Sequence, residues 1–263
     1  MSASAESPPA PASKASSPRP GAQVDLSQPI LRQVGALDAA EYDAWVHAPI
    51  SARHGEKNPV PGKHSGSLRI FVHDFWERHS HISWWLVLLV WVPIVAGLFL
   101  WGALGWSLSL GTQLMWGAIG FVAWTFTEYV LHRFVFHYKP RSAFGRKLHF
   151  LAHGVHHLDP WDPTRLVFPP VAGLIIASGL FGLWVLAIGL PLATPAMGGL
   201  LIGYLLYDMT HYYTHHGKPK GRWGKFLKRY HLEHHHRHWE LLFGVSQPFW
   251  DIVFRTGRPK SSA

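Results

Sequence analysis

The sequence predicts an all-α integral membrane protein, with four transmembrane helices as two hairpins and a helical cap on the cytoplasmic side. Three observations carry that prediction. Only 15% of the 263 residues are charged, well under the roughly 25% of an average soluble domain. Four apolar runs approach or exceed the length needed to cross roughly 30 Å of hydrocarbon at about 1.5 Å per residue. Lys and Arg, the source of the net charge of +9, gather beside those runs, as juxtamembrane positive charge does.

Residues 1–22 are almost entirely Ala, Ser and Pro. They lack the apolar surface to fold and the apolar core of a secretory signal, so they read as a disordered tail. Residues 23–81 form a cytoplasmic N-terminal region. The charges of 1–81 are balanced, eight basic against eight acidic. The region ends in "LRIFVHDFWERHSH", which reads as an amphipathic helix lying on the membrane surface before the first span. A membrane-embedded domain follows over 82–257, with spans at about 82–106, 113–131, 167–190 and 195–210 and a short tail at 258–263. The connections Ser107–Thr112 and Pro191–Thr194 are short and uncharged. The N-terminal region, the 138–166 connection and the C-terminal region hold the Lys and Arg, with Arg133 near a helix end. The positive-inside bias therefore puts those three on the cytoplasmic side. Trp84, Trp85, Trp101 and Trp106 flank the first span as an aromatic belt.

There is no Cys, which removes disulfides, thiolate metal sites and iron–sulfur clusters. No glycine-rich phosphate loop and no G-x-S-x-G elbow occurs. The basic C-terminal region lacks base-stacking organisation and suits anionic lipid headgroups better than nucleic acid.

Of twenty His, fourteen fall within 132–157 and 211–238, and they repeat. "HRFVFH" (132–137) is followed, sixteen residues after its last His, by "HGVHH" (153–157); "HYYTH" (211–215) is followed after the same interval by "HLEHH" (231–235). His211 and His215, at i and i+4, share a helix face. His153, His156 and His157, like His231, His234 and His235, stand at i, i+3 and i+4, and each adjacent pair, about 100° apart, can serve two metals at once. His132 and His137 are at i and i+5, which predicts a helix end or a π-bulge. These ten are the candidate metal ligands, and two metals are the natural count. Nitrogen-only donors suit iron, zinc, copper or nickel, of which zinc cannot change redox state. Ligating His donates its other N–H to a carboxylate or carbonyl, for which Glu128, Asp159, Asp208 and Glu233 are at hand. His149 and His236, with His216 and His238, are supporting groups or solvated neighbours. His47, His54, His64, His73, His79 and His81 read as ordinary surface or core residues. No separate acid or base is assigned, and the substrate-binding residues are unknown.

"EYVLHRFVFH", "HFLAHGVHH", "RLVFPP", "GYLLYDMTHYYTHH", "KRYHLEHHHRH" and "FGVSQPFWDIVF" together resemble the fatty acid 2-hydroxylases of the fatty acid hydroxylase and sterol desaturase superfamily. With "DLSQPILRQVGALDAAEYDAWVHAPI" and "DFWE" upstream, the resemblance covers roughly 23–257. It implies a membrane monooxygenase with a non-haem dimetal centre of two iron ions. That centre would use O₂ to hydroxylate long or very long acyl chains beside the carbonyl, commonly the N-acyl chain of ceramide. The family's ligands map onto His132, His137, His153, His156, His157, His211, His215, His231, His234 and His235. The H-P-G-G haem motif of the cytochrome b5-like domain in fungal and animal members is absent from this sequence. The resemblance is therefore to short plant-type and bacterial forms, which take NAD(P)H electrons from a separate cytochrome b5-type donor and its reductase. The membrane would be endoplasmic reticulum in a eukaryote or inner membrane in a bacterium. A desaturase or sterol-type oxidase uses similar histidine boxes, and a non-catalytic membrane metal-binding protein is the reading from a different class. "DPWDPTRLVFPP" (159–170) either frames the acyl entrance or makes a tight turn into the third span.

Overall fold

The structure, a computed structural model, describes residues 24–50 and 67–259. The 1–22 tail, His54, His64 and most of the 258–263 tail lie outside the described residues. Within them every regular element is helical. Three short helices come first: α1 (Ile30–Gln33), α2 (Ala39–Val46) and α3 (Asp74–His79). The first apolar helix, α4 (Trp84–Leu100), ends in a π-helical turn, Trp101–Gly105. The second, α5 (Leu110–Val130), ends in another, Leu131–Phe136. The cap continues with α6 (Ala143–His149), a π-turn at Phe150–Gly154 and α7 (Val155–Leu158). The last two apolar helices are α8 (Pro170–Ile188) and α9 (Leu190–His216), followed by α10 (Arg222–His236) and α11 (Phe249–Val253).

Four helices are long and apolar enough to cross a membrane: Trp84–Gly105, Leu110–Phe136, Pro170–Ile188 and Leu190–His216. Two-thirds of α9's apolar window is buried against 6% of α8's, so α9 is the core of the bundle and α8 its outer wall. Small residues let α9 and α5 touch backbone to backbone, as membrane helices do. A Cβ on Gly120 would lie 1.8 Å from the Ala196 carbonyl oxygen, and one on Gly199 would lie 1.8 Å from that of Gly117. Trp124 packs over Gly203 one turn further on. At one end of the bundle Gly102 meets Gln113 and Thr194. At the other, the Ile82 N–H donates to the Thr164 carbonyl at 2.7 Å and the Phe168 N–H to Asp208 Oδ1 at 3.3 Å. The outward faces are apolar: Leu104, Val171, Ile175 and Leu186 are each more than 70% exposed, the signature of a lipid-facing belt.

Three expectations change. The fourth helix begins at Leu190, and 191–194 is its first turn rather than a loop. Gly189, at φ 80°, makes the reversal within one residue, and Pro191 is tolerated where helical N–H groups have no partner anyway. The third begins at Pro170, after Leu166 and Val167 have been buried in the apolar core. The surface helix before the first span is confined to Asp74–His79. Upstream of it the chain is not helical: Arg69 and Ile70 accept from the Ile30 and Leu31 N–H groups while Glu77 accepts from Ile70 and Phe71. The N-terminal segment thereby becomes a roof: Ile30, Val34, Tyr42, Trp45 and Ile70 form one buried cluster with Phe150, Val155 and Leu158. That cluster fixes the helix bearing "HGVHH" over the end of the bundle.

Candidate metal centre

The ten patterned His are all buried, none more than 8% exposed. They converge in two groups whose donor atoms lie within 4.8 Å of one another: His132, His137, His153, His157 and His234 in the first, and His156, His211, His215, His231 and His235 in the second. Each repeat unit therefore supplies four ligands to its own group and one to the other. His156 crosses from the first unit and His234 from the second. The adjacent pairs His156–His157 and His234–His235 are split between groups, the division that a 100° rotation per residue permits.

Local backbone geometry delivers these side chains. The π-turn Leu131–Phe136 closes with the His137 N–H donating to the His132 carbonyl at 3.1 Å, an i+5 bond that brings two His five apart onto one side. His211 and His215 need no such adjustment, because they sit at i and i+4 of the regular helix α9. His153 lies in the π-turn Phe150–Gly154, and α10 presents His231, His234 and His235 from its last turns.

The donor set fits a metal ion in each group. In the first, Nε2 of His153 lies 3.2 Å from that of His132 and 3.1 Å from that of His157, and Nε2 of His137 lies 3.0 Å from that of His234. In the second, His211–His156, His231–His215 and His235–His231 are at 2.9, 2.9 and 3.0 Å. With metal–nitrogen bonds of about 2.1 Å, ligands at right angles lie about 3.0 Å apart and tetrahedral ones about 3.4 Å. The spacing is within the range that imidazoles around one ion would show, and each group offers five such donors. Burial, reinforced by neighbouring imidazoles, pushes His137, His153, His156, His157, His231 and His235 well below their ordinary 6.5, and burial does the same to His234. These rings are neutral at pH 7, with a lone pair for a cation.

The orienting partners differ from those expected. His132 Nδ1 donates to the Phe243 carbonyl at 2.5 Å and His234 Nδ1 to the Leu241 carbonyl at 2.6 Å, both in the segment after α10. Leu242 between them is wholly buried with φ 62°, a left-handed conformation held by its N–H bond to the Thr256 carbonyl. Glu128 accepts from the N–H groups of Val245 and Ser246 and from the Ser246 hydroxyl, so it anchors this loop and acts on His132 only through it. Asp251 holds the same loop from α11, accepting from the Phe243 and Gly244 N–H groups. Asp208 accepts from Phe168 and Tyr204, and Glu233 pairs with Arg258. Asp159 is buried where α7 ends, its N–H donating to the Val155 carbonyl. His149 accepts or donates at 2.7 Å with the Tyr42 hydroxyl, its ring pushed down to about 4 by burial, and lies outside both groups. His236 is exposed and stacks toward Trp161.

Sequence reasoning missed His47. It is stacked on Trp239 at 3.8 Å, with ring centroids 5.1 Å from His157 and 5.8 Å from His137. A lone His in α2's C-cap carries no spacing signal. The loop carbonyls were equally invisible, since a carbonyl is common to every residue.

An apolar cavity lies within the bundle beside this centre, lined among others by Trp91, Trp124, Phe136, Ala177, Leu200 and Tyr207. Phe136 stacks on His153 at 5.2 Å and Tyr207 on His211 at 5.8 Å, so the cavity wall abuts both groups.

Four apolar spans with two converging five-imidazole groups at one end define an all-helical membrane protein of the histidine-cluster, metal-binding class. The family model described as fatty acid hydroxylase matches residues 117–256. Dihydroceramide fatty acyl 2-hydroxylase FAH1 of Arabidopsis thaliana is 42% identical over 243 residues, covering 90% of this chain and 94% of that one. Fatty acid 2-hydroxylase of Homo sapiens is 39% identical over 257 residues, covering 90% of this chain and 65% of that one. The solved structure of full-length scs7p, in which only the hydroxylase domain is visible, matches with a TM-score of 0.81 at 32% identity, over 91% of this chain and 87% of that one. The chain belongs to the fatty acid hydroxylase family.

Proposed function

We propose that this protein 2-hydroxylates long or very long acyl chains, in particular the N-acyl chain of ceramide-type lipids, using O₂ at a di-iron centre. The observation that carries the reading is the apolar intramembrane cavity whose wall abuts both histidine groups. An acyl chain lying in it with its polar head at the membrane surface keeps its first carbons at the depth of the imidazoles. His132, His137, His153, His157 and His234 would hold one iron and His156, His211, His215, His231 and His235 the other. The metals would supply O₂ binding and the redox change. The remaining tasks fall to the chain. Trp91, Trp124 and Leu200 wall off water and align the acyl chain. Asp208, bonded to the Tyr204 hydroxyl and the Phe168 N–H at 3.3 Å each, ties α9 to the start of α8 and fixes the shape of the cavity mouth.

Replacing C–H by C–OH with one atom of O₂ consumes two electrons and two protons and releases water. We assign the electrons to a separate donor protein, of cytochrome b5 type, fed from NAD(P)H by its reductase. The exposed basic residues Lys218, Lys220, Arg222, Lys225 and Arg229 suit an acidic partner. Positive charge beside the spans supports a centre on the cytoplasmic face, with two helical hairpins dipping into the bilayer. The membrane is endoplasmic reticulum in a eukaryote and inner membrane in a bacterium.

The test is mass spectrometry of lipids from cells expressing the chain with a cytochrome b5 and its reductase, against His235→Ala. Acyl chains that gain one oxygen beside the carbonyl only with the intact His support the proposal. Loss of two hydrogens points to a desaturase. No lipid change, with electron delivery verified, points to a non-catalytic metal-binding protein.

A further inference from the structure

The short helix α11 has two faces with opposite tasks. Asp251 is wholly buried and accepts from the Phe243 and Gly244 N–H groups and from the hydroxyls of Tyr230 and Thr256 at 2.7–3.0 Å. That face holds the loop whose carbonyls orient His132 and His234. The other face is bare and apolar: Ile252 is 70% exposed, Phe249 58%, Val253 49% and Phe254 45%. A contiguous apolar group of this kind marks an interaction surface.

What covers it is indicated by its neighbours. The Trp250 ring lies 4.9 Å from Phe126, and Phe254 lies 6.4 Å from Phe126 and 5.2 Å from Tyr129. Phe126 and Val122, both exposed, belong to the outward face of the span Leu110–Phe136. The apolar face of α11 is thus continuous with a lipid-facing one. Cationic side chains edge it: Arg255 follows Phe254 directly and is exposed, and Arg133 lies over the Phe134 ring at 4.9 Å. Apolar residues beside Arg are the composition of a segment seated at the boundary between acyl chains and anionic headgroups.

We propose that α11 is an interfacial anchor. Phe249, Ile252, Val253 and Phe254 sit in the leaflet at the metal-centre end of the bundle, and Asp251 on the opposite face hangs the metal-centre loop from that anchor. The occupant is lipid, and the inference stands independently of the reaction proposed above.

Because the chain has no Cys, single-cysteine labelling reads the position directly. Ile252→Cys carries an environment-sensitive fluorophore in the full chain, reconstituted in nanodiscs of phosphatidylcholine and phosphatidylserine. Ala40→Cys, exposed on the roof helix α2, is the reference, and Phe249→Cys is a second probe should the first variant fold poorly. Phospholipids with a nitroxide high on the acyl chain should quench residue 252 severalfold more than residue 40, and aqueous iodide should do the reverse. Iodide quenching at 252 and 249 equal to that at 40 would overturn the anchor, since it would leave the face open to water or to a protein partner.

Discussion

His234 and His235 are neighbours in the chain but serve different metal groups. Nε2 of His234 lies 3.0 Å from that of His137, and Nε2 of His235 lies 3.0 Å from that of His231. The two repeat units are thereby interlocked, because each group is completed by one imidazole from the other unit. Neither unit alone assembles a five-nitrogen site. A gene duplication that produced the pattern would have needed both halves present before either site reached its full ligand count.

Interlocking predicts which ligand losses combine. His157→Ala and His234→Ala strike one group from different repeats, so each should lower metal content from about two ions per chain toward about one, and the double variant should lose little more. His157→Ala with His235→Ala strikes both groups, and its losses should add. Metal analysis of the purified variants decides. If His234→Ala and His235→Ala were instead the pair with no additive loss, the division between groups would be wrong.

The loop 241–246 should control how tightly the first group holds its metal. Glu128→Ala leaves the N–H groups of Val245 and Ser246 without their acceptor, at roughly 1–3 kcal/mol for the buried Val245 group. It also frees the carbonyls that orient His132 and His234. Loss of such outer partners typically weakens metal binding by about 10–100-fold. Chelator competition should show about one metal per chain released far more easily in Glu128→Ala, with Glu128→Gln intermediate because it keeps an acceptor oxygen. Release of both metals together, or of neither, would contradict the loop's role.

Much of this centre was legible because its information is local. The i, i+4 spacings and the sixteen-residue interval between boxes are properties of the chain, and a helix converts them into shared faces. The i+5 pair His132 and His137 predicts a helix end or a π-bulge, and the structure has a π-turn there. The 4+1 partition was not legible, because it depends on how α7 and α10 rotate against each other across the repeat interface. Nor were the orienting groups. Glu128 and Asp208 are buried carboxylates near ligands, as expected, yet their oxygens are taken by backbone N–H groups and hydroxyls. The fourth helix began earlier than the expected 195 because Pro191 sits in the helix's first turn, where there is no N–H bond for proline to remove. The N-terminal roof was hidden for a different reason. Its buried residues from Ile30 to Trp45 pair with Phe150 and Leu158 more than a hundred positions away.

Packing of α5 on α9 should be intolerant of a single methyl. A Cβ on Gly120 would sit 1.8 Å from the Ala196 carbonyl oxygen, and backbone cannot swing aside as a side chain can. Gly120→Ala should cost at least the roughly 1–3 kcal/mol of an overpacked core. Gly179, on the outward wall, has nothing within 4 Å of the corresponding position, so Gly179→Ala should be neutral or slightly stabilising. Thermal unfolding in detergent should separate the two variants by several degrees. Equal melting temperatures would mean that α5 and α9 are less tightly apposed than the geometry indicates.

Acid should weaken the clamp between the roof and the 159–169 segment. Arg165, its side chain 3% exposed, donates to Glu77, Ser67, Ser80 and the Leu68 carbonyl, and lies 3.6 Å from Asp162. Burial alone would raise the Asp162 carboxyl. The hydrogen bonds from Ser67 and Thr164, with the Arg165 charge, outweigh it and hold the group below 3.8. At Glu77 burial is likewise outweighed, by the Phe71 and Ile70 N–H groups and Arg165, and the group is held below 4.5. Acids held low in the folded chain stabilise it fully above their unfolded values and lose that contribution as pH falls through their folded ones. Arg165→Met leaves two carboxylates without their cation at pH 7, at a cost of roughly 3–5 kcal/mol. Below their unfolded values the carboxyls of the variant are protonated and the cost shrinks. The gap between the melting temperatures of the wild-type chain and the variant should therefore be wide at pH 7 and narrower at about pH 3, below both unfolded values, since it closes only as pH falls through the folded ones. A gap of the same size at both pH values would mean that Arg165 acts through the packing of its stem, with its charge contributing little.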